Sequence, residues 1–200
     1  MSSLGAGKAR VAALILAAGE SRRMGFPKAL LRLGAETFLG RLLRVLAAAG
    51  IQQRVVVLGA HAQRIRASVD LSGAQVVENP DYALGQLSSL QVGLRALGGN
   101  WDGVLMALVD HPMLTSQVVA QLLAAYSPGD AVVVPVYAGR RGHPVLFSAS
   151  LIPELLAAPL DQGARGVVRS HAAALRQVPV GDPGVLADID TPLDYRRLVG

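Results

Sequence analysis

The sequence predicts an α/β fold with a mostly parallel central sheet covered by helices on both faces, and three observations carry that prediction. Short apolar runs rich in β-branched residues alternate with stretches whose apolar residues recur at helical spacing, nearly to the end of the chain. The runs are bounded by Gly, Pro, Asn or Asp, as strands buried on both faces are. The chain has 200 residues, 52% hydrophobic and 16% charged, which suffices for one domain with a substantial core and is slightly short for two. We therefore expect a single domain over residues 1–200, with residues 1–10 as a flexible lead.

In chain order, "VAALIL" (11–16) is the first expected strand and "TFLGRLLRVLAAAG" (37–50) the first helix, with Thr37 in the capping region and Gly50 past its end. "RVVVLG" (54–59) and "AQVVEN" (74–79) read as buried strands on either side of the helix "AQRIRASV" (62–69). "LSSLQVGLRAL" (87–97) is helical, "VLMALVD" (104–110) is the most apolar strand, "SQVVAQLLAAY" (116–126) is helical and "AVVVPVY" (131–137) is a strand. Beyond 140 the chain is richer in Gly and Pro, with "LIPELLAA" a short helix and "RQVPV" a late strand. Open parallel sheets bind ligands beyond the carboxyl ends of their strands, at the switch point. The segments that follow the strands at 11–16 and 104–110 are therefore where chemistry is expected.

Composition narrows the function classes. The chain contains no cysteine, which excludes disulfides, thiolate metal sites and cysteine nucleophiles and fits a reducing cytoplasm. No apolar run reaches the roughly 18 residues of a membrane span, and "MSSLGAGKAR" lacks the apolar stretch of a secretory signal. A cytoplasmic protein without a membrane partner is expected. The net charge of +5 does not point to nucleic acid: the arginines are scattered at spacings of solvated helix faces, aromatics make up 4% of the chain, and no nucleic-acid-binding signature is present.

The segment "LILAAGESRRMGFPK" (14–28) is the most informative. Ala17, Ala18 and Gly19 leave the chain after the first strand nearly without side chains, so a phosphate or nucleobase can approach its amides. Arg23 and Lys28 bring a forked donor and a point charge to the same loop. Lys8 and Lys28 are the only lysines in the sequence. "GAGKAR" (5–10) precedes the first strand and lacks the Ser or Thr of a Walker A loop, and "LAAGESRRMG" does not give the GxGxxG spacing. Asp110, at the end of the most apolar strand, is either a cap for a following helix or a ligand for a hard cation such as Mg²⁺. Asp188 and Asp190 form a second acidic cluster just before Thr191 and Pro192, residues that also signal a helix start. Two carboxylate loops meeting opposite Arg23 and Lys28 would suit nucleotidyl transfer, in which an anionic acceptor attacks the α-phosphorus of a nucleoside triphosphate and no protein nucleophile is needed.

These residues resemble a known family. "LAAGESRRMGFPK" is similar to the LAAGxSxRMGxxK signature of the MobA-like NTP transferases that act on molybdenum cofactor, within the GT-A-like pyrophosphorylase superfamily. The resemblance runs in order through "NPDYALGQLSSLQVGL", "LVDHP" (where the family usually reads DQP), "YAGRRGHPVLF", "LDQGARGVV" and "DPGVLADIDTP", and spans residues 11 to about 195. LAAG in place of LAGG, together with "RGHPVLF", makes it most similar to the molybdenum cofactor cytidylyltransferases.

The resemblance implies a three-layer α/β/α Rossmann-like (GT-A-like) fold and transfer of CMP from CTP to a molybdopterin-type cofactor, with Mg²⁺ or Mn²⁺ and release of pyrophosphate. It implies that Arg23 and Lys28 hold the triphosphate and, with Asp110, are catalytic. Leu16, Ala17, Ala18 and Gly19 would line the base and ribose, and Gly85, Ser88 and Ser89 would help read the base, although either serine could instead cap the helix that follows. Arg141, Gly142 and His143 would face the acceptor, although His143 before Pro144 could instead form a structural turn. Asp110 with Asp190, or with Asp188, would bind the metal. Small-molecule substrates are the implied partners, with a molybdenum hydroxylase as recipient of the product. Guanylyl transfer, a sugar or polyol phosphate acceptor, and a non-catalytic cofactor chaperone are the alternatives.

Overall fold

The computed structural model describes residues 9–200. The elements are β1 (Val11–Ala17), β2 (Arg32–Leu33), β3 (Glu36–Thr37), α1 (Phe38–Ala48), β4 (Arg54–Leu58), α2 (Ala62–Ser68), β5 (Gln75–Glu78), α3 (Gln86–Ala96) and β6 (Gly103–Leu108). They continue with α4 (Ser116–Ala125), β7 (Val132–Tyr137), β8 (Arg140–Arg141), β9 (Val145–Ser148), α5 (Ile152–Ala157), α6 (Gly163–Ser170), β10 (Leu175–Pro179) and α7 (Pro192–Val199). Of the expected flexible lead, residues 1–8 lie outside the described residues. Arg10 is placed, its N–H donating to Asp102 Oδ2 at 2.7 Å and its guanidinium lying over the Trp101 ring.

The main sheet runs β10-β7-β9-β6-β1-β4-β5, with β8 paired to β7. All pairings in this sheet are parallel except those of β9 with β6 and β7 and of β8 with β7, while β2 and β3 form a separate antiparallel pair. Strand parity sorts the core into two layers, because successive side chains leave a strand on opposite faces. From β1, Ala13, Ile15 and Ala17 pack with Leu39, Leu42 and Leu46 of α1 and with Val118 and Leu122 of α4. Leu14 and Leu16 face the other way, onto Leu87, Leu90 and Leu94 of α3, Leu155 of α5 and Val167 of α6. The result is the three-layer α/β/α arrangement expected. All seven residues of β1 and all six of β6 are buried, as central strands covered on both faces require.

Two expectations are corrected. The stretch 74–79 is not buried on both faces: β5 pairs only with β4, ends the sheet, and keeps Gln75 and Glu78 exposed, a polar edge that discourages further pairing. Asp110 does not cap a helix, because α4 starts six residues later and Thr115 takes that role, its side chain accepting from Val118 N. Among the described residues no helix is long and apolar enough to cross a membrane.

The order of strands positions the site. From β1 the chain moves outward through β4 to β5, then returns to the opposite side of β1 with β6. The switch point lies between β1 and β6, and the loops beyond their carboxyl ends are those that begin at Ala18 and at Val109, next to Asp110.

Candidate active site

A cavity of about 370 Å³ opens at that switch point. The loop after β1 is held in shape by its own polar groups: Ser21 O accepts from Met24 N and Gly25 N, and Ser21 Oγ accepts from Lys28 N at 3.1 Å. Ser21 sits at φ 55, a backbone conformation unusual for a residue with a side chain, and so it turns the loop back toward the sheet. Gly59, just beyond β4, allows the neighbouring loop to close on this one, since a Cβ there would stand 2.5 Å from Ala18 O and 2.9 Å from Tyr82 Cβ. A Cβ on Gly19 would meet no atom within 4 Å and would point into open space.

The two acidic loops are joined through backbone. Ile189 N donates to Asp110 O at 2.8 Å, and the Ile189 side chain is buried against Met24, Leu31 and Phe38. That anchor sets Asp190 beside Asp110 although 80 residues separate them. Lys28 Nζ then donates to Asp190 Oδ1 at 2.5 Å and Asp110 Oδ2 at 3.1 Å, and Arg23 donates to Asp190 Oδ2 at 2.7 Å. Lys28 is largely buried, with 11% of its side chain exposed, while Arg23 is 71% exposed and swings from the rim. The Lys28 hydrogen bond, followed by the charges of Lys28 and Arg23, holds the Asp190 carboxyl below its ordinary range in spite of partial burial.

Asp110 Oδ1 is buried and has no hydrogen-bond partner among the described residues. A buried carboxylate oxygen left unpaired is costly, so this atom is available to a cation. No cluster of three or more His, Cys, Asp or Glu side chains suited to a metal occurs among the described residues. One or two carboxylates completed by water and substrate phosphates is nevertheless how Mg²⁺ is commonly held, and Asp110 with Asp190 fits that donor set.

Of the residues singled out in the sequence, Leu16, Ala17, Ala18, Gly19, Arg23, Lys28, Gly85, Ser89, Asp110 and Asp190 all line this cavity. Ser88 does not. It lies in the first turn of α3, caps nothing, and turns its hydroxyl to Asn79, Asp81 O and Gly85 O. Asp188 is exposed, and Asp190 is the acidic residue that reaches Lys28. Arg141, Gly142 and His143 also lie outside the lining. Arg141 is exposed on β8; Gly142 packs where a Cβ would stand 2.9 Å from Val185 Cβ. His143 is packed on His111 with ring centroids 4.6 Å apart. Burial pushes the His111 imidazole down and the His143 imidazole down to about 4, so both are neutral near pH 7. Sequence reading missed Tyr82 and His61, which line the cavity, because a lone aromatic or histidine in a loop carries no spacing signal.

The chain matches one family model and several known proteins of differing names. The family model described as the MobA-like NTP transferase domain matches residues 13–180. The chain is 32% identical over 198 residues to the Nicotine blue oxidoreductase of Paenarthrobacter nicotinovorans, covering 94% of this chain and 96% of that one. It is 26% identical over 187 residues to the Molybdenum cofactor cytidylyltransferase of Escherichia coli, covering 91% and 92%. Among solved structures, Rv0371c of Mycobacterium tuberculosis superposes with a TM-score of 0.84 at 33% identity, covering 96% of this chain and 98% of that one. A manganese complex of the same protein superposes with a TM-score of 0.81, again at 33% identity, covering 95% and 98%.

Proposed function

We propose that this chain, which belongs to the MobA-like NTP transferase family, transfers CMP from CTP to a molybdopterin-type cofactor and releases pyrophosphate. The observation that carries the proposal is the four-charge cluster of Lys28, Arg23, Asp110 and Asp190 at the switch point, beside a wall of small residues. The E. coli relative supports CTP and a molybdenum cofactor acceptor, as does LAAG in the first loop.

In this reading the nucleoside lies along Ala17–Gly19 and the start of α3, and the triphosphate lies toward Lys28 and Arg23. Both cations draw onto phosphate oxygens, so the negative charge that would repel an anionic acceptor is neutralised on the nucleotide before attack. The acceptor oxygen bonds to the α-phosphorus, the bond from that phosphorus to the bridging oxygen breaks, and the electron pair leaves with pyrophosphate. Lys28, mostly screened from water, stabilises the charge that builds on the leaving group; Arg23, on the rim, follows the β- and γ-phosphates. Asp110 and Asp190 would hold Mg²⁺ or Mn²⁺, which when bound supplies charge neutralisation and orientation of the phosphates. The neutral His111 and His143 rings form an uncharged wall beside Asp110, which keeps its charge directed to the cavity. We place the reaction in the cytoplasm, with small-molecule substrates and a molybdenum hydroxylase as recipient, and without a nucleic-acid partner.

The relative named as an oxidoreductase raises a second reading, hydride chemistry on a related fold. The paired cations and carboxylates match a triphosphate, and on that ground we favour nucleotidyl transfer. Pyrophosphate release from CTP, GTP, ATP and UTP, measured with Mg²⁺ and with or without reduced molybdenum cofactor, tests it. Release from CTP only when the cofactor is present is expected. No release from any triphosphate, with NADH or NADPH oxidised in a parallel assay, would overturn the proposal.

A further inference from the structure

Asn79 is 1% exposed, follows β5 and is not among the residues that line the cavity. Its amide orientation is fixed by backbone: Oδ1 accepts from Asp81 N–H at 3.0 Å, so Nδ2 must face the other way. Nδ2 then donates to two hydroxyls of α3, Ser88 Oγ at 2.9 Å and Ser89 Oγ at 3.0 Å. Both serines are therefore acceptors toward Asn79, and each must send its own proton elsewhere. That of Ser88 goes to Gly85 O at 2.8 Å or Asp81 O at 3.1 Å. Ser89, 4% exposed, has no such acceptor among the described residues and lines the cavity, which leaves the cavity as the side to which its O–H can turn.

We infer that Asn79 sets Ser89 as a hydrogen-bond donor to the nucleoside end of the substrate, making the pair a specificity device for an acceptor atom such as a base carbonyl or ring nitrogen. The inference rests on the nucleotide-binding reading above. It also gives Asn79 a second task. Through Asp81 and Ser88 it fixes the segment that carries Tyr82 and Gly85, and Gly85, at φ 102, holds a conformation that few other residues could keep. Asn79 is thus a positioning residue, acting through Ser89.

The pair is separable by substitution. S89A removes the donor. N79D keeps an acceptor for Asp81 N–H, but its second oxygen now accepts from the serines, turning the Ser89 proton inward. The new carboxylate also repels phosphate, and pyrophosphate, which carries no nucleoside, reports that repulsion alone. The quantity to measure by calorimetry with Mg²⁺ is the ratio of each triphosphate's affinity to that of pyrophosphate, for CTP, GTP, ATP and UTP. For the preferred nucleotide we expect this ratio to fall roughly 3- to 10-fold in S89A, the weight of one neutral hydrogen bond. It should fall similarly in N79D and no further in the double variant, and the spread of affinities across the four nucleotides should narrow. An unchanged ratio in S89A, or losses that multiply in the double variant, overturns the inference. If N79D does not fold, the S89A ratio alone decides. A parent protein that binds none of the four triphosphates overturns the nucleotide reading itself, a result distinct from the first.

Discussion

Lys28 donates to Asp190 at 2.5 Å across 162 positions of sequence, and the same ammonium reaches Asp110 at 3.1 Å. The cation best placed to hold a triphosphate is thus paired with both carboxylates best placed to hold a metal. In the proposed reaction, binding of substrate would be an exchange of partners, in which phosphate takes the ammonium and a divalent cation takes the carboxylates. The pre-existing pairing keeps all three side chains ordered and partly desolvated, so less reorganisation remains when the nucleotide arrives.

Removing that ammonium should disable the reaction at the chemical step. K28M is expected to lower kcat/KM for pyrophosphate release by on the order of 100-fold or more, the range seen when a preorganised charge is removed from a reacting centre. Steady-state kinetics check the rate. Mn²⁺ titration in the absence of nucleotide checks the exchange: K28M should bind Mn²⁺ more tightly than the parent, because its carboxylates have lost their competitor.

The two carboxylates should separate from their acidic neighbour. D110N and D190N are each expected to weaken nucleotide-dependent Mn²⁺ binding at least 10-fold, read by electron paramagnetic resonance, since each removes one of two anionic donors. D188N should leave it unchanged, because Asp188 is exposed, does not line the cavity and makes no hydrogen bond to Lys28.

The origin of this cluster also shows how far the sequence could be read. Asp110 was identifiable because it ends the most apolar run, and Arg23 and Lys28 because they share a loop with residues too small to fill it. What brings Asp190 to them is a single backbone bond, Ile189 N to Asp110 O, and a buried Ile189, and no local pattern encodes either. The parallel strands were legible from continuous apolar runs. The antiparallel β9 was not, because its four residues follow His143 and Pro144 within a Gly- and Pro-rich stretch and pair with β6, about 40 residues back. The serines read as cap or base contacts divided between a buried scaffold role for Ser88 and a cavity position for Ser89, a distinction made only by where Asn79 lies.

His143 should make stability depend on pH. Its folded-state value is lowered from 6.5 to about 4, chiefly by burial and next by His111, so the unfolded chain takes up the proton more readily. The stability from the neutral buried ring is complete above about pH 6.5 and is lost as pH falls toward 4, by up to about 3 kcal/mol. Urea unfolding between pH 7.5 and 4.5 should show H143Q to be less sensitive to acid than the parent over that window.

Gly142 should prove structural. A Cβ at 142 would stand 2.8 Å from the Val185 carbonyl carbon and 2.9 Å from Val185 Cβ, and both neighbours are held by the bond from His143 N to Val185 O. G142A is expected to cost about 1–3 kcal/mol in denaturant unfolding, as overpacking does, with CTP affinity changed less than 2-fold.

The most direct measurement is manganese anomalous scattering from crystals grown with Mn²⁺ and a non-hydrolysable CTP analogue. The peak should lie between the Asp110 and Asp190 carboxylates, with Lys28 Nζ moved from them onto a phosphate oxygen. Manganese bound away from both carboxylates, or a triphosphate seated outside the cavity with Lys28 still bridging Asp110 and Asp190, would contradict it.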